Sequence, residues 1–498
     1  MDETPKNLWE NTDLSKYLFH VTIPTIDSTI ESENVDERVV YIGDLEKRKQ
    51  AYGICGECKE PGTGNKWCQP CNAKRFKDNF KNWTSENKDI DEFIQQSQLN
   101  AVHYNKYLEW IPFEKFQNIT YIAEGGFGKI YSAEWPEGHI EFWDIINQKW
   151  YRNNFGEYAL KSLNNNSSDV CSDFLNEIKS HLQIHLVDIV QCFGITQDPN
   201  NKEYMMVIEY CDDGNLRNYL NRSKNYINYN LKIYQLQQIA RGLLDIHNAE
   251  KVHKDFHSGN ILISKRFSYI SDLGMCQPTN IKQTVKEEGI YGVLPYMAPE
   301  VLRGQQYTKA ADIYSLGIIM NEFLSEEIPF NDIPHDEFLA IKICKGLRPT
   351  ISKDIPKLLA DLIIKCWDPE IKNRPITKEL YQLLTRWDGE KYNSETEIYF
   401  QIEECDKIRK EKFKNRSSED KPKSFKIHPQ AIYTSRLLNF KNLSKPVNSL
   451  DLSSFQFSSD TSYTTQSTSA NPISECLDVQ LSELELNEIC QDNEYNIE

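Results

Sequence analysis

The sequence predicts an α+β fold of two lobes, a small one rich in strands followed by a larger helical one. Three observations carry that expectation. Short apolar runs of strand character, such as YALKSL (158–163) and MMVIEY (205–210), lie before about residue 214. From there to about residue 386, helical periodicity dominates. Strands first and helices after is the order of segregated layers, whereas a parallel α/β sheet would alternate them. The chain has 498 residues, enough for roughly two to four units, and its 39% hydrophobic content allows a sizeable core.

Composition narrows the partners. A formal net charge of -17 argues against nucleic acid or an anionic membrane, because both select for basic surface. No segment approaches the apolar run that spans a bilayer. The N-terminus, MDETPKNLWENTD, is acidic and polar and lacks the apolar core of a secretory signal. The chain is therefore expected in the cytoplasm, with the nucleus also open. There its 13 cysteines, an odd number, would remain thiols or metal ligands.

The elements follow in order. Residues 1–50 are a polar segment without a clear period. Residues 51–80 are a Cys-rich module holding Cys55, Cys58, Cys68 and Cys71. Residues 81–115 read as a helical connector, with Ile90, Phe93, Ile94 and Leu99 at helical spacing and Pro112 as a break. The main domain, 116–387, opens with a glycine-rich strand–turn–strand at 119–134 and an aromatic, polar insertion at 135–156. The 158–163 strand, a helix over 170–185, the 205–210 strand and the helices complete it. Residues 388–412 predict a charged helix, with Ser394 to Glu397 as a capping box and Ile398, Ile402, Cys405 and Ile408 along one face. Residues 413–498 read as a largely disordered acidic and Ser-rich tail. Its last apolar residues, Leu477 to Leu486, either dock on a partner or belong to a solvated acidic tail. No internal repeats stand out.

The residues also carry a chemistry. Moving the γ-phosphoryl of ATP requires that the triphosphate be held, its charge neutralised by metal, and the attacking hydroxyl aimed at phosphorus. Ala123-Glu124-Gly125-Gly126-Phe127-Gly128-Lys129-Ile130 lies where two strands would turn, and glycines let backbone N–H groups approach phosphate. Such turns are common, and alone this one is weak evidence. Lys161 sits in an apolar strand and needs an anionic partner, unless it is an edge lysine reaching water. Glu177, on the next helix, is the natural counter-ion, although a lone helix Glu is more often simply exposed. The strongest segment is Val252 to Ile263 (VHKDFHSGNILI), in which Asp255 and Asn260 are spaced by a short loop between apolar flanks. That places a carboxylate beside a nucleophile and an amide near a metal. Asp272 follows in ISDLG (270–274), a setting that suits a magnesium ligand.

These residues closely resemble the eukaryotic protein-kinase family over roughly residues 118–386. The resemblance implies the bilobal protein-kinase fold and an enzyme using ATP and Mg2+. It makes Lys161 the ATP-orienting lysine, Glu177 its helix partner, Asp255 the catalytic aspartate, and Asn260 and Asp272 the magnesium ligands. Residues 123–128 would cover the phosphates. Ile130, Ala159 and Leu262 would sandwich the adenine, with Ile208 as gatekeeper and Glu209 to Cys211 as hinge. Ala298-Pro299-Glu300 would close the activation segment, Glu300 would pair with Arg374, and Asp312 would be the structural aspartate of a long helix. HSGN (257–260), GVLPYMAPE (292–300) and CWDP (366–369) resemble the tyrosine-kinase-like group, and within it a large fungal set with a Cys-rich N-terminal piece. Four departures stand out. Ala123 replaces a glycine, which implies a reduced nucleotide grip. Leu273 replaces phenylalanine but stays apolar. Lys254 replaces the arginine that reads an activation-segment phosphate, which puts control through Thr279, Thr284 or Tyr291 in doubt. His257 and Val293 match neither the usual serine/threonine nor the tyrosine pattern. The family analogy favours serine or threonine as acceptor, with tyrosine open. A scaffold that binds ATP without transferring phosphate is the alternative.

Cys55-x2-Cys58 and Cys68-x2-Cys71 are separated by nine residues, a spacing that can close a tetrahedral, structural zinc site. Four free thiols are the alternative. On this reading the isolated segment 45–85 folds only with zinc. The expected partners are protein substrates, with docking partners for the Cys module and the tail.

Overall fold

The structure, a computed structural model, describes residues 37–125, 128–162, 172–184, 188–222, 226–279, 290–419 and 427–440, with Trp9, Tyr17 and residues 19–23. The parts assigned to Gly126, Phe127, Thr284 and Leu477 to Leu486 lie outside them.

Among its described residues the N-terminal part holds a parallel pair, β1 (Val21–Ile23) and β2 (Val39–Tyr41), and the helices α1 (Leu45–Tyr52), α2 (Gln69–Asn79) and α3 (Lys88–Asn100). The carboxamide of Asn87 caps α3 by accepting from the N–H groups of Asp89 and Ile90. Ile90 and Ile94, one turn apart, are fully buried. Within the 81–115 connector the α-helix covers Lys88–Asn100 only, and Glu109–Trp110 is a strand.

The small lobe is a six-stranded sheet in the order β3-β9-β10-β8-β5-β4. Its strands are β3 (Glu109–Trp110), β4 (Gln117–Gly125), β5 (Gly128–Glu134), β8 (Glu157–Ser162), β9 (Cys192–Gln197) and β10 (Tyr204–Glu209). The period-two alternation of strands splits it into two faces. Tyr158, Leu160, Met205 and Val207 pack with Trp135 and Phe193 on one face. Ala159, Met206 and Ile208 pack on the other with Phe174 and Ile178 of α4 (Ser172–Gln183). The 135–156 insertion is an antiparallel hairpin, β6 (His139–Asp144) and β7 (Lys149–Asn153). It lies against the Cys-rich part: Trp67, fully buried, stacks on Tyr107 at 5.7 Å, and Phe76 stacks on Trp150 at 4.9 Å. The Cys-rich module therefore does not stand alone, as an isolated 45–85 segment would require. Trp67 also donates its indole N–H to Ala101 O at 2.7 Å, outside that segment.

The large lobe is helical and holds the largest core cluster. Its helices are α5 (Leu216–Arg222), α6 (Tyr229–Asn248), α7 (Pro299–Leu302), α8 (Lys309–Ser325), α9 (Glu337–Cys344), α10 (Lys357–Cys366) and α11 (Thr377–Glu390). Short strands line its upper edge: β11 (Lys251–Val252) pairs with β14 (Gln277–Pro278), and β12 (Ile261–Ser264) with β13 (Phe267–Ile270). This is the α+β, two-lobed architecture that the order of elements predicts. No helix among the described residues is long and apolar enough to cross a membrane.

Two expectations for the C-terminal part need correction. Helix α12 (Glu397–Glu419) starts at Glu397, so Ser394 lies outside it and forms no capping box, and the helix runs past residue 412. Ile398, Ile402 and Cys405 are buried as their spacing predicts, but Ile408 is exposed. Residues 427–440, read from composition as disordered, form an extended segment on the large lobe. Within it β16 (Arg436–Leu438) pairs antiparallel with β15 (Ile290–Gly292). The segment is anchored by Leu438, 5% exposed in the lobe's core, so a short apolar run outweighs the polar composition around it.

Candidate active site

The cleft between sheet and helices gathers the charged residues that the motifs single out. Lys161 is on β8, and alternation turns it to the face that meets α4. Its Nζ lies 2.7 Å from Glu177 Oε1 and 3.2 Å from Asp272 Oδ1. Burial works against the charge of Lys161, but Asp272 and Glu177 outweigh it and raise its pKa above the usual lysine value. Lys161 therefore stays a cation. Asp272 sits in the left-handed region, φ 59 and ψ 71, at the end of β13. Gly274 lies close by: a Cβ there would be in ordinary contact with Glu177 Oε2 (3.4 Å) and Asp272 Oδ1 (3.6 Å).

The backbone of His253 and Lys254 is held by one carboxylate. Asp312 of α8 accepts from the N–H of His253 (2.9 Å), the N–H of Lys254 (3.2 Å) and His247 Nε2 (3.0 Å). Lys254 has φ 68, a strained value for a long side chain, which this clamp sustains. The Lys254 ammonium donates to Gln277 Oε1 at 3.0 Å. Asn260 donates its amide to Asp255 O at 2.8 Å, which leaves its Oδ1 available to a cation. Asp255 is buried, and its Oδ1 has no hydrogen-bond partner among the described residues. Its Oδ2 accepts from Ser435 Oγ at 2.6 Å and lies 3.7 Å from His257 Nε2. Burial would raise the Asp255 pKa, but His257 and Ser435 outweigh it and hold the carboxyl below its usual value. The N–H of Gly259 donates to His257 Nδ1 at 3.1 Å, so in the neutral ring Nε2 carries the hydrogen and faces Asp255 as a donor.

The apolar residues predicted around an adenine also converge. Ile130, Ala159, Ile208, Cys211 and Leu262 share one cluster. Ala159 is paired with Ile208 and Lys161 with Ile130 across neighbouring strands. The N–H of Glu209 donates to Gln191 O at 2.9 Å, and burial pushes the Glu209 carboxyl up to about 7. At the turn, Ala123, Glu124 and Gly125 pair with Ile130, Lys129 and Gly128. Gly128 has φ 143, which requires a glycine. Below the cleft, Arg374 grips Glu300 with two nitrogens, at 2.6 and 2.8 Å, both side chains buried.

The four cysteines meet as predicted. Their Sγ atoms all lie within 4.8 Å of one another, with Cys55–Cys71 at 3.9 Å and Cys58–Cys68 at 3.6 Å. A tetrahedron with Zn–S bonds of about 2.3 Å has edges of roughly 3.8 Å, so the set fits that ion.

Sequence reading missed Ser435, which meets Asp255, and Tyr433, which anchors the same segment; Tyr291, read only as a phosphorylation candidate, donates to the Ser435 carbonyl. The signal was present in the apolar Leu437, Leu438 and Phe440, but charged and polar neighbours hid it.

Comparison with known proteins supplies the family. The model for "Protein tyrosine and serine/threonine kinase" matches residues 116–384. A protein described as a probable serine/threonine-protein kinase of Dictyostelium discoideum is 26% identical over 276 residues, covering 53% of this chain and 19% of that protein. The RGS domain-containing serine/threonine-protein kinase A of the same organism is 27% identical over 261 residues, 51% of this chain and 21% of its own. Serine/threonine-protein kinase VIK of Arabidopsis thaliana is 29% identical over 284 residues, 54% of this chain and 60% of its own. The chain thus spans about a fifth of the two amoebal relatives and three fifths of the plant one. The match extends over more than half of the 498 residues and over both lobes of the cleft, and the chain belongs to the family of protein tyrosine and serine/threonine kinases.

Proposed function

We propose that this chain is an active kinase that transfers the γ-phosphoryl of ATP to serine or threonine hydroxyls of proteins in intracellular signalling. The observation that carries the reading is the Lys161–Glu177–Asp272 ion cluster beside an ionised Asp255. In this reading Lys161, oriented by Glu177, holds the α- and β-phosphates. Asn260 and Asp272 hold magnesium, which when bound neutralises phosphate charge. Asp255 orients the acceptor hydroxyl and takes its proton. Ile130, Ala159, Ile208 and Leu262 enclose the adenine, Glu209 to Cys211 read its edge, and residues 123–128 cover the phosphates. No covalent intermediate is needed, because positioning and charge stabilisation suffice. The names of the relatives favour serine and threonine as acceptors.

Finer assignments rest on motif resemblance. The 257–260 and 292–300 segments favour the tyrosine-kinase-like group and its fungal set. The Cys55-Cys58-Cys68-Cys71 cluster favours a structural zinc. The Cys-rich module and the tail are proposed docking elements, and the cytoplasm or nucleus is the proposed location. The proposed divisions are 51–80 for the Cys-rich module and 116–387 for the catalytic domain.

The test is phosphate transfer from labelled ATP to a generic protein by the full chain, preincubated with MgATP, beside Asp255→Asn. Label on serine or threonine that falls by about 10²-fold or more in the variant is the expected result. Label on tyrosine changes the acceptor class. Absence of transfer with MgATP binding intact refutes the enzyme reading in favour of a scaffold.

A further inference from the structure

The acceptor side of the cleft is filled by the chain itself. Residues 427–440 cross it as an extended peptide, and β16 continues the chain along β15 in register: Gly292 opposite Arg436, Tyr291 opposite Leu437, Ile290 opposite Leu438. At the start of that strand, Ser435 directs its hydroxyl to Asp255 Oδ2 at 2.6 Å, with His257 Nε2 at 3.3 Å. The hydroxyl of Tyr291 donates to Ser435 O at 3.1 Å and fixes the serine backbone.

The flanks are held as firmly. Two residues before Ser435, the Tyr433 ring lies 4.4 Å from the Arg217 guanidinium and edge-on to His335 at 4.7 Å, and its hydroxyl donates to Pro329 O at 2.8 Å. Three residues after it, Leu438 is buried in the large-lobe core. The backbone of His335 donates to Gln430 O at 2.9 Å, and its Nδ1 lies 2.8 Å from Ile432 O. Anchors on both sides therefore deliver one hydroxyl to one carboxylate. Strand addition of this kind is a general mode of peptide recognition.

We propose that residues 427–440 are an internal substrate, that Ser435 is its phosphoacceptor, and that the segment closes the site to other proteins until Ser435 is phosphorylated. The inference rests on the reading of Asp255 as the group that orients the acceptor. In the transfer, Ser435 Oγ bonds to the γ-phosphorus of ATP. The bond from that phosphorus to the β,γ-bridging oxygen breaks, its electron pair leaves with ADP, and the Ser435 proton passes to Asp255. The product carries about -1.5 to -2 charges at neutral pH. Once Asp255 has passed that proton to the phosphate or to solvent, the phosphate is held against the ionised, buried carboxylate, and repulsion expels the segment. The same contacts define the external substrate class: an extended segment with Ser or Thr at the acceptor position, an aromatic residue two before it and an apolar residue three after it.

The experiment uses phosphatase-treated full-length chain, MgATP and myelin basic protein as external acceptor, with site mapping by mass spectrometry. The expected first product is phospho-Ser435, formed at a rate per molecule that does not change on dilution. External phosphorylation then shows a lag that Ser435→Ala lengthens. Leu438→Asp and Tyr433→Ala, which loosen the anchors, abolish the lag and start about tenfold faster. Two loosened variants guard against one failing to fold. External transfer without Ser435 label refutes the acceptor assignment, and loosened variants no faster than wild type refute closure. Labelling that slows on dilution refutes an internal substrate in favour of a second copy. If no variant transfers phosphate to either acceptor, the kinase reading itself falls, and the inference with it.

Discussion

Arg374→Met should be among the most damaging single changes outside the cleft, and its cost can be worked from the contacts. Arg374 is fully buried as a side chain and makes four close contacts: Glu300 Oε1 at 2.6 Å, Glu300 Oε2 at 2.8 Å, Ala310 O at 2.9 Å and Asp368 O at 2.8 Å. Methionine fills most of the volume and makes none of these bonds. The Glu300 carboxylate, 3% exposed as a side chain, is then left buried without its cation. Breaking a buried pair from one side costs about 3–5 kcal/mol, most of it the penalty on the stranded charge. Arg374→Met with Glu300→Met removes that charge too and should recover most of the loss. The two abandoned carbonyls leave a remainder of about 1–3 kcal/mol. Urea denaturation of the two single variants and the double variant closes the cycle. A single-variant loss below about 1 kcal/mol, or a double variant as unstable as the sum of the singles, would refute the reasoning.

Three further outcomes are expected. Lys161→Met leaves Glu177 and Asp272 facing each other without a cation, and kcat/KM for ATP should fall by about 10²-fold or more; steady-state kinetics with wild-type values would overturn the assignment. Elemental analysis should find one zinc per chain, lost in Cys68→Ser together with several kcal/mol of stability; metal-free wild type of equal stability would overturn the site. The Glu209 carboxyl, at about 7 against an ordinary 4.5, is penalised when ionised, so its cost is absent below about 4.5 and complete above 7. Glu209→Gln should therefore gain on the order of 2 kcal/mol at pH 8, a gain that shrinks towards pH 5. A pH-independent difference in melting curves would contradict the buried carboxyl.

Much of the cleft was legible because its chemistry fixes residue types at short spacing. Asp255, Asn260 and Asp272 lie within eighteen positions of one another, so a linear reading finds them together. Lys161 stood out as a charge inside an apolar strand, and Glu177 as the carboxylate on the following helix. The four cysteines were legible for the same reason. Contacts between distant parts were not. Ser435 is 180 positions from Asp255, and nothing local marks the pair. The aromatic residues of 135–156 read as an insertion, but only the fold shows that Trp150 meets Phe76 of the Cys-rich part. Asp312, matched by resemblance, acquires its physical meaning only when it is seen holding Lys254 at φ 68.

The stacked aromatics between hairpin and Cys-rich part have a consequence for how the chain can be divided. A chain beginning at Phe116 would lose Trp67, Phe76 and Tyr107, leaving Ile140 and Trp150 with an apolar face turned to water. The hairpin runs directly into β8, the strand that carries Lys161. Fraying of the hairpin, whose second strand ends four positions before Glu157, where β8 starts, would travel inward along the sheet. The kinase lobes and the cysteine module share one aromatic core, so loss of the proposed zinc would loosen the face on which the hairpin before Lys161 rests.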